Sequence, residues 1–322
     1  MKKILITGAS GFIGSFLVEE AIQKAWQTWA GVRASSSKEY LQDSRIQFID
    51  LDFSNKENLK AQIENHVALH GKWDYVIHNA GATKCLSSSQ FDTINYIYTQ
   101  HLIEALQETG QVPEKFILMS SLSAHHPKAN TAYGRSKLKA EQFLESQTDF
   151  PYIILCPTGV YGPREKDYYI LLKTIQSGLD VAAGWEPQKL TFIYVKDLVK
   201  AAFLALESPI KNRSYFVADG NVYSDEEYTQ IAKKALGKKF VVKLRVPLFI
   251  LKTLSIIAEE ISKITKKTST LNRDKYEIMK QRDWSCDILP LKKDLDFTAE
   301  YDLKQGMEEC VTWYRIKGWL SR

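Results

Sequence analysis

Residues 7–14 read Thr7-Gly8-Ala9-Ser10-Gly11-Phe12-Ile13-Gly14, and the fold is decided there. Just before them, Lys3-Ile4-Leu5-Ile6-Thr7 has the apolar, β-branched character of a buried strand. Just after, residues 12–24 carry apolar side chains at helical spacing. A glycine turn between strand and helix has a defined physical use. Gly8 permits the tight turn, Gly11 lets backbone N–H groups approach a pyrophosphate, and Gly14 lets the helix pack close to the sheet. The helix N-terminus directs partial positive charge at phosphate oxygens. Gly8, Ser10, Gly11, Phe12, Ile13 and Gly14 are therefore the expected phosphate cradle of a bound dinucleotide.

Outward from this turn, strand-like runs recur at 28–32, 46–49, 75–78, 115–119 and 152–155, separated by helical patterns at 56–70, 91–107 and 133–146. Strands that alternate with helices predict a parallel sheet covered on both faces, a doubly wound α/β (Rossmann) domain. Its ligands lie beyond the strand carboxyl ends. After about residue 161 the pattern loosens, with turns at Gly162-Pro163, Gly184-Trp185-Glu186-Pro187 and Asp219-Gly220-Asn221, strand-like runs at 190–195 and 214–217, and a helix-opening cap at Ser224-Asp225-Glu226-Glu227. The expected organisation is a dinucleotide-binding domain over 1–161, to which 188–218 return. A smaller C-terminal substrate lobe takes 162–187 and 219–322.

The chain has 322 residues, 44% hydrophobic and 25% charged, which excludes disordered, collagenous and disulfide-scaffold classes. A net charge of +5 without long basic blocks is no nucleic-acid footprint. Cys85, Cys156, Cys286 and Cys310 lie far apart, with no metal-ligand spacing, so a reduced, cytoplasmic, metal-free protein is expected. Glycines follow Met1-Lys2-Lys3 too soon for a signal peptide. Residues 246–258 are the most apolar later stretch, too short to span a bilayer; they read as a core helix, with an interfacial helix as the other reading.

With T-G-x-x-G-F-I-G matched at Thr7 to Gly14, the chain resembles the extended branch of the short-chain dehydrogenase/reductase superfamily. The likeness continues along the chain. Asp50-Leu51 resembles the family's adenine-contacting pair, with Asp52 a possible substitute, and Asn79-Ala80-Gly81 its ribose-side turn. Cys156-Pro157-Thr158-Gly159-Val160-Tyr161-Gly162-Pro163 resembles R-P-x-x-V-Y-G-P, which places Pro157 and Val160 beside a nicotinamide. Two positions depart: the usual arginine is Cys156, and the asparagine typical of nucleotide-sugar enzymes is Gly159. Later, Leu190 stands where an arginine often grips a sugar-nucleotide phosphate.

The second strand ends Gly31-Val32-Arg33, with no acid to accept from a ribose 2′-OH. Arg33 points to a 2′-phosphate, hence NADP, with NAD second. Tyr133 and Lys137, at i and i+4, share a helix face. A neighbouring ammonium and an oxidised nicotinamide would lower the phenol's pKa from about 10. Tyr133 is then the proton-transfer group of a hydride reaction, and the resemblance gives Ser121 the role of bonding the reacting oxygen, with Ser123 as runner-up. Asn95 resembles the family's supporting asparagine, and His78 reads as a packed histidine. The implied function is an NAD(P)-dependent oxidoreductase acting on a carbonyl/secondary-alcohol pair, nearest in motifs to dihydroflavonol and 3β-hydroxysteroid reductases. An NAD-retaining sugar epimerase or dehydratase is the alternative; a non-catalytic cofactor-binding regulator is the remote one. The expected partners are a small-molecule substrate and a second copy in a homodimer, with no membrane span and no nucleic acid.

Overall fold

The computed structural model describes residues 1–266, 269 and 271–321. The last residue of the expected substrate lobe and positions 267, 268 and 270 within it lie outside them. The chain forms two compact units. The first takes residues 1–125, 132–156 and 199–215; the second takes 126–131, 157–198 and 216–322.

The alternation begins with β1 (Lys3–Thr7), α1 (Phe12–Gln23), β2 (Gln27–Gly31), β3 (Gln47–Ile49), α2 (Lys56–His70) and β4 (Tyr75–His78). It continues through α3 (Ser88–Phe91), α4 (Tyr98–Glu108), β5 (Lys115–Met119), α5 (Ala132–Glu145) and β6 (Tyr152–Pro157). Then follow β7 (Gly159–Tyr161), α6 (Asp167–Gln176), β8 (Leu179–Ala183), β9 (Lys189–Leu190), β10 (Phe192–Tyr194), α7 (Val195–Glu207) and β11 (Arg213–Val217). The chain ends with β12 (Tyr223–Ser224), α8 (Asp225–Ala235), β13 (Val242–Val246), α9 (Leu248–Thr265), α10 (Arg273–Met279), α11 (Leu289–Leu295) and α12 (Leu303–Ile316).

Seven strands make one sheet in the order β11-β6-β5-β4-β1-β2-β3. From β3 to β6 each neighbouring pair is parallel. Strands covered on both faces must be apolar throughout, and Ile4, Leu5, Ile6, Val76, Ile77, Phe116 and Ile117 are fully buried. The strand order reverses at β1, which has β2 on one side and β4 on the other, so the ends of β1 and β4 flank the switch point where such sheets bind ligands. At the opposite end of β5, the buried Lys115 Nζ donates to Ala205 O at 2.8 Å and to Ser208 O, so it caps the carboxyl end of α7.

Three sequence expectations changed in detail. The helix over 91–107 is broken by a π-helical segment, Asp92–Ile97. The strand read at 190–195 divides at Thr191 into β9 and β10. The apolar run at 246–258 does not make a core helix. It opens α9, which turns Leu251, Ser255 and Ser262 inward and leaves Ile250, Leu254, Ile257, Ile261 and Ile264 exposed.

The second unit has an aromatic core that includes Tyr161, Phe192, Tyr194, Tyr228 and Tyr314. A capping box between Ser224 and Glu227 starts α8, as the Ser-Asp-Glu-Glu run predicts. Tyr168 and Tyr169 pack on the core, and Trp284 lies over His126 with ring centroids 4.2 Å apart, whereas Trp185 is exposed.

Candidate active site

The glycine turn is built as its spacing requires. Gly8 has φ +66°, and a Cβ there would stand 2.8 Å from Ala80 N. A Cβ on Gly14 would stand 2.1 Å from Gly8 O, so α1 reaches the sheet only because position 14 has no side chain. Gly11 caps α1 without a side chain, so its first N–H groups remain available to an anion. The ends of β1 and β4 are tied by Ala80 N donating to Thr7 Oγ1 at 3.1 Å and Asn79 Nδ2 to Gly8 O at 3.5 Å. These residues fit a dinucleotide: the N-terminus of α1 carries no capping side chain, and the glycines let the turn pack tightly enough to present its backbone N–H groups to phosphates.

Beyond β2, Arg33 is exposed, and Asp50 Oδ2 accepts from Ala34 N at 3.0 Å, holding the turn on which Arg33 sits. Leu51 is buried beside it. Asp52 is engaged in a local turn, accepting from Ser54 N at 3.1 Å and from Asn58 Nδ2 at 3.0 Å.

Tyr133 and Lys137 lie on α5, and Ser121 follows β5. The Ser121 side chain accepts from Ser123 N at 3.2 Å and bonds the Tyr133 phenol. Burial pushes that phenol up from 10, and the bond to Ser121 only partly offsets it. Lys137 Nζ donates to Met119 O at 2.8 Å, and burial pulls its pKa down to about 8. In the protein alone burial is the largest influence on the phenol; the positive charge of an oxidised nicotinamide, which the expectation also invokes, would come with the dinucleotide. Desolvation dominates at both groups: the phenol stays protonated at neutral pH, and the lysine is the group brought near it.

Asn95 sits in the π-helical segment and braces this pair. Its Nδ2 donates to Ala82 O at 3.0 Å and Ser136 Oγ at 2.9 Å, and its Oδ1 accepts from Ala82 N at 2.7 Å. Ser136 Oγ in turn donates to Tyr133 O at 2.8 Å. A Cβ on Gly81 would come within 3.1 Å of Lys137 Nζ, so glycine keeps the β4 turn clear of the lysine. His78 is a packed histidine between Thr7 Oγ1 at 2.9 Å and Thr99 Oγ1 at 3.0 Å, and burial lowers its pKa to about 3. Pro157 and Val160 belong to the second unit, where β7 pairs with β10 and Val160 faces Ile193.

Spacing along the chain did not reveal Glu141, one further turn along α5 from Lys137. Its buried carboxylate accepts from Ser120 Oγ, lies 2.6 Å from His125 Nε2 and 3.8 Å from Cys156 Sγ. Glu141 holds the His125 imidazole above its usual range, and burial raises the Cys156 thiol far above 9. The candidate ligand atoms of His125, Glu141 and Cys156 lie within 4.8 Å of one another, a grouping made across the fold that the metal-free reading of spacings did not contain. The signal available was the i+4 step from Lys137 to Glu141.

A family model described as the NAD dependent epimerase/dehydratase family matches residues 4–218. The chain belongs to this family. It is thus an extended short-chain dehydrogenase/reductase, an NAD(P)-dependent enzyme of the oxidoreductase or epimerase/dehydratase kind. Relatives of this family member differ in named reaction. It is 24% identical to a ceramide reductase of Caulobacter vibrioides over 99% of this chain and 96% of the relative. It is 23% identical to a UDP-glucose 4-epimerase of Vibrio cholerae over 96% and 94%. The crystal structure of a UDP-glucose 4-epimerase from Thermotoga maritima superposes with a TM-score of 0.76 at 20% identity, covering 98% of this chain and 99% of that one. A dTDP-glucose 4,6-dehydratase from Bacillus anthracis in complex with NAD gives 0.74 at 18% identity, covering 98% and 97%. These structures share the fold of the family member.

Proposed function

We propose that this family member is an NADPH-dependent reductase that takes a ketone of a long-chain, lipid-like substrate to a secondary alcohol. The observation that carries the reading is the pairing on α5 of Tyr133, hydrogen-bonded to Ser121 and kept a phenol by burial, with Lys137 one turn on, in the unit that also holds the glycine turn. A phenol in that state donates a proton, which is what a carbonyl oxygen needs as its carbon is reduced. The bound dinucleotide supplies the hydride. Ser121 holds the reacting oxygen, Tyr133 protonates it, and Lys137 supplies positive charge that steadies the phenolate left behind. Asn95 holds the segment that positions Lys137.

Three further points support the reading over sugar epimerisation. Arg33 offers a cation where NAD enzymes carry an acid, which favours a 2′-phosphate. A Cβ at position 159 would meet Tyr168 Oη at 2.2 Å, so the asparagine of nucleotide-sugar enzymes would require the Tyr168 ring to move. Leu190 packs against the aromatic core of its own unit where a phosphate-gripping arginine would stand. The name of the Caulobacter relative, a ceramide reductase, supplies the substrate class, and a 3-keto ceramide is the ketone whose reduction gives a ceramide's secondary alcohol. The runner-up, an epimerase or dehydratase with retained NAD, is favoured by the names of other relatives. We further infer a cytoplasmic homodimer paired through α4 and α5.

The test is the cofactor balance. With a 3-keto ceramide, NADPH is consumed one for one with alcohol formed, and Arg33→Asp lowers the NADPH/NADH ratio of kcat/KM by roughly ten- to a hundred-fold. Product without net nicotinamide consumption refutes the reductase, and an unchanged ratio refutes the role of Arg33.

A further inference from the structure

α9 is amphipathic in the wrong sense for a helix of a soluble core. Its inward face includes Leu251, Ser255 and Ser262, while four isoleucines, a leucine and a phenylalanine are among the residues exposed to solvent. Ile250, Leu254, Ile257, Ile261 and Ile264 are separated alternately by four and three residues, so they form one stripe along the helix. Ile261 is 54% exposed and Ile264 is 82% exposed. Phe249, at the start of the helix, is 72% exposed. The strand leading into α9 continues the pattern: Val242 and Leu244 of β13 pair with Leu179 and Val181 of β8, and all four are exposed. Monomeric soluble proteins rarely expose so continuous an apolar surface.

Charge says what covers it. Between Lys238 and Arg282, lysine and arginine outnumber aspartate and glutamate by twelve to four, against 43 to 38 in the whole chain. The two acids of α9, Glu259 and Glu260, are already engaged by Lys263 and Arg273. An apolar stripe within a strongly basic segment suits a surface that offers both acyl chains and negative headgroups. A second copy of this face would match the stripe but oppose like charges.

We propose that the second unit docks on anionic membrane surfaces through α9, its isoleucine stripe lying among the acyl chains and its basic segment against the headgroups. The helix lies in the interface and does not cross it: no helix among the described residues is long and apolar enough to do so. The inference goes beyond the reductase reading and stands on this surface alone. If that reading also holds, docking would bring the enzyme to the layer in which a long-chain ketone resides.

The experiment is sedimentation of the full-length protein with sucrose-loaded vesicles, either phosphatidylcholine with a quarter phosphatidylglycerol or phosphatidylcholine alone. The expected result is partition at least ten-fold stronger onto the anionic vesicles, weakened at high salt. Ile257→Ser with Ile261→Ser should lower that partition at least ten-fold and leave NADPH affinity and mass in solution unchanged. Three results overturn the proposal: no binding to anionic vesicles, equal binding by the double variant, or a double variant that turns a dimer into a monomer. The last would show a second copy on the stripe. Because vesicle binding is read without turnover, its failure leaves the reductase reading intact, and failure of that reading leaves this one intact.

Discussion

Lys137 has less than a tenth of its surface exposed and keeps its ammonium by donating to one backbone carbonyl, Met119 O. Its pKa of about 8, against 10.5 for a free lysine, means that the fold opposes its charge. The consequence for stability has a definite sign. Between pH 8 and 10.5 the unfolded chain holds the proton more tightly than the folded one, so stability from this group rises with pH through that window and its cost is complete below pH 8. Lys137→Met should therefore fold as well as the parent, or be up to about 2 kcal/mol more stable in urea melts at pH 7, since a buried charge is exchanged for an apolar chain of similar volume. The same variant should lose reductase activity by a factor of at least about a hundred, because the charge that steadies the phenolate is gone. In the parent, kcat should fall as pH rises through about 8. An active Lys137→Met, or one that melts several kcal/mol early, would show that this lysine is a structural residue.

At the scale of elements, the turn between β1 and α1 has the narrowest tolerance. Gly14→Ala would drive a methyl into Gly8 O, a rigid backbone atom, and the helix or the turn must move. The variant should lose about 2–4 kcal/mol of stability, and in fluorescence titration its NADPH affinity should drop at least ten-fold; unchanged affinity would remove the turn from the cofactor site. This turn was legible in the sequence because glycine spacing is a local property. The same holds for the buried strands, whose uninterrupted apolar runs announce a sheet covered on both faces. The π-helical segment that carries Asn95 was not legible: one extra residue in a helical turn leaves no mark in a pattern of apolar spacing. Nor was the outward rotation of α9. Periodicity shows that a helix has an apolar stripe but not which way the stripe faces, and a run rich in isoleucine reads as core until its neighbours are known.

Over the whole molecule, the family match ends at residue 218, and most of the second unit follows it. The two units thus stand differently with respect to sequence. The first carries motifs whose residue types follow from cofactor chemistry. The second is recognised by its 157–163 motif, its capping box and its turns, and by little else. Its distinguishing features, the Gly159–Tyr168 contact, the core-packed Leu190 and the basic segment around α9, depend on what each side chain meets in space. The phenol of Tyr133, by contrast, was named by its spacing to Lys137, and only its protonation needed the structure, because burial has no signature in an i,i+4 pair. The most direct measurement is isotopic: NADPH deuterated at the transferable position of nicotinamide C4, a 3-keto ceramide, and mass spectrometry of the product. A reductase that uses Tyr133 as acid should place one deuterium on the new carbinol carbon, with Tyr133→Phe binding NADPH normally yet turning over about 10²–10⁴-fold more slowly. Unlabelled product, or a Tyr133→Phe variant as fast as the parent, would contradict it.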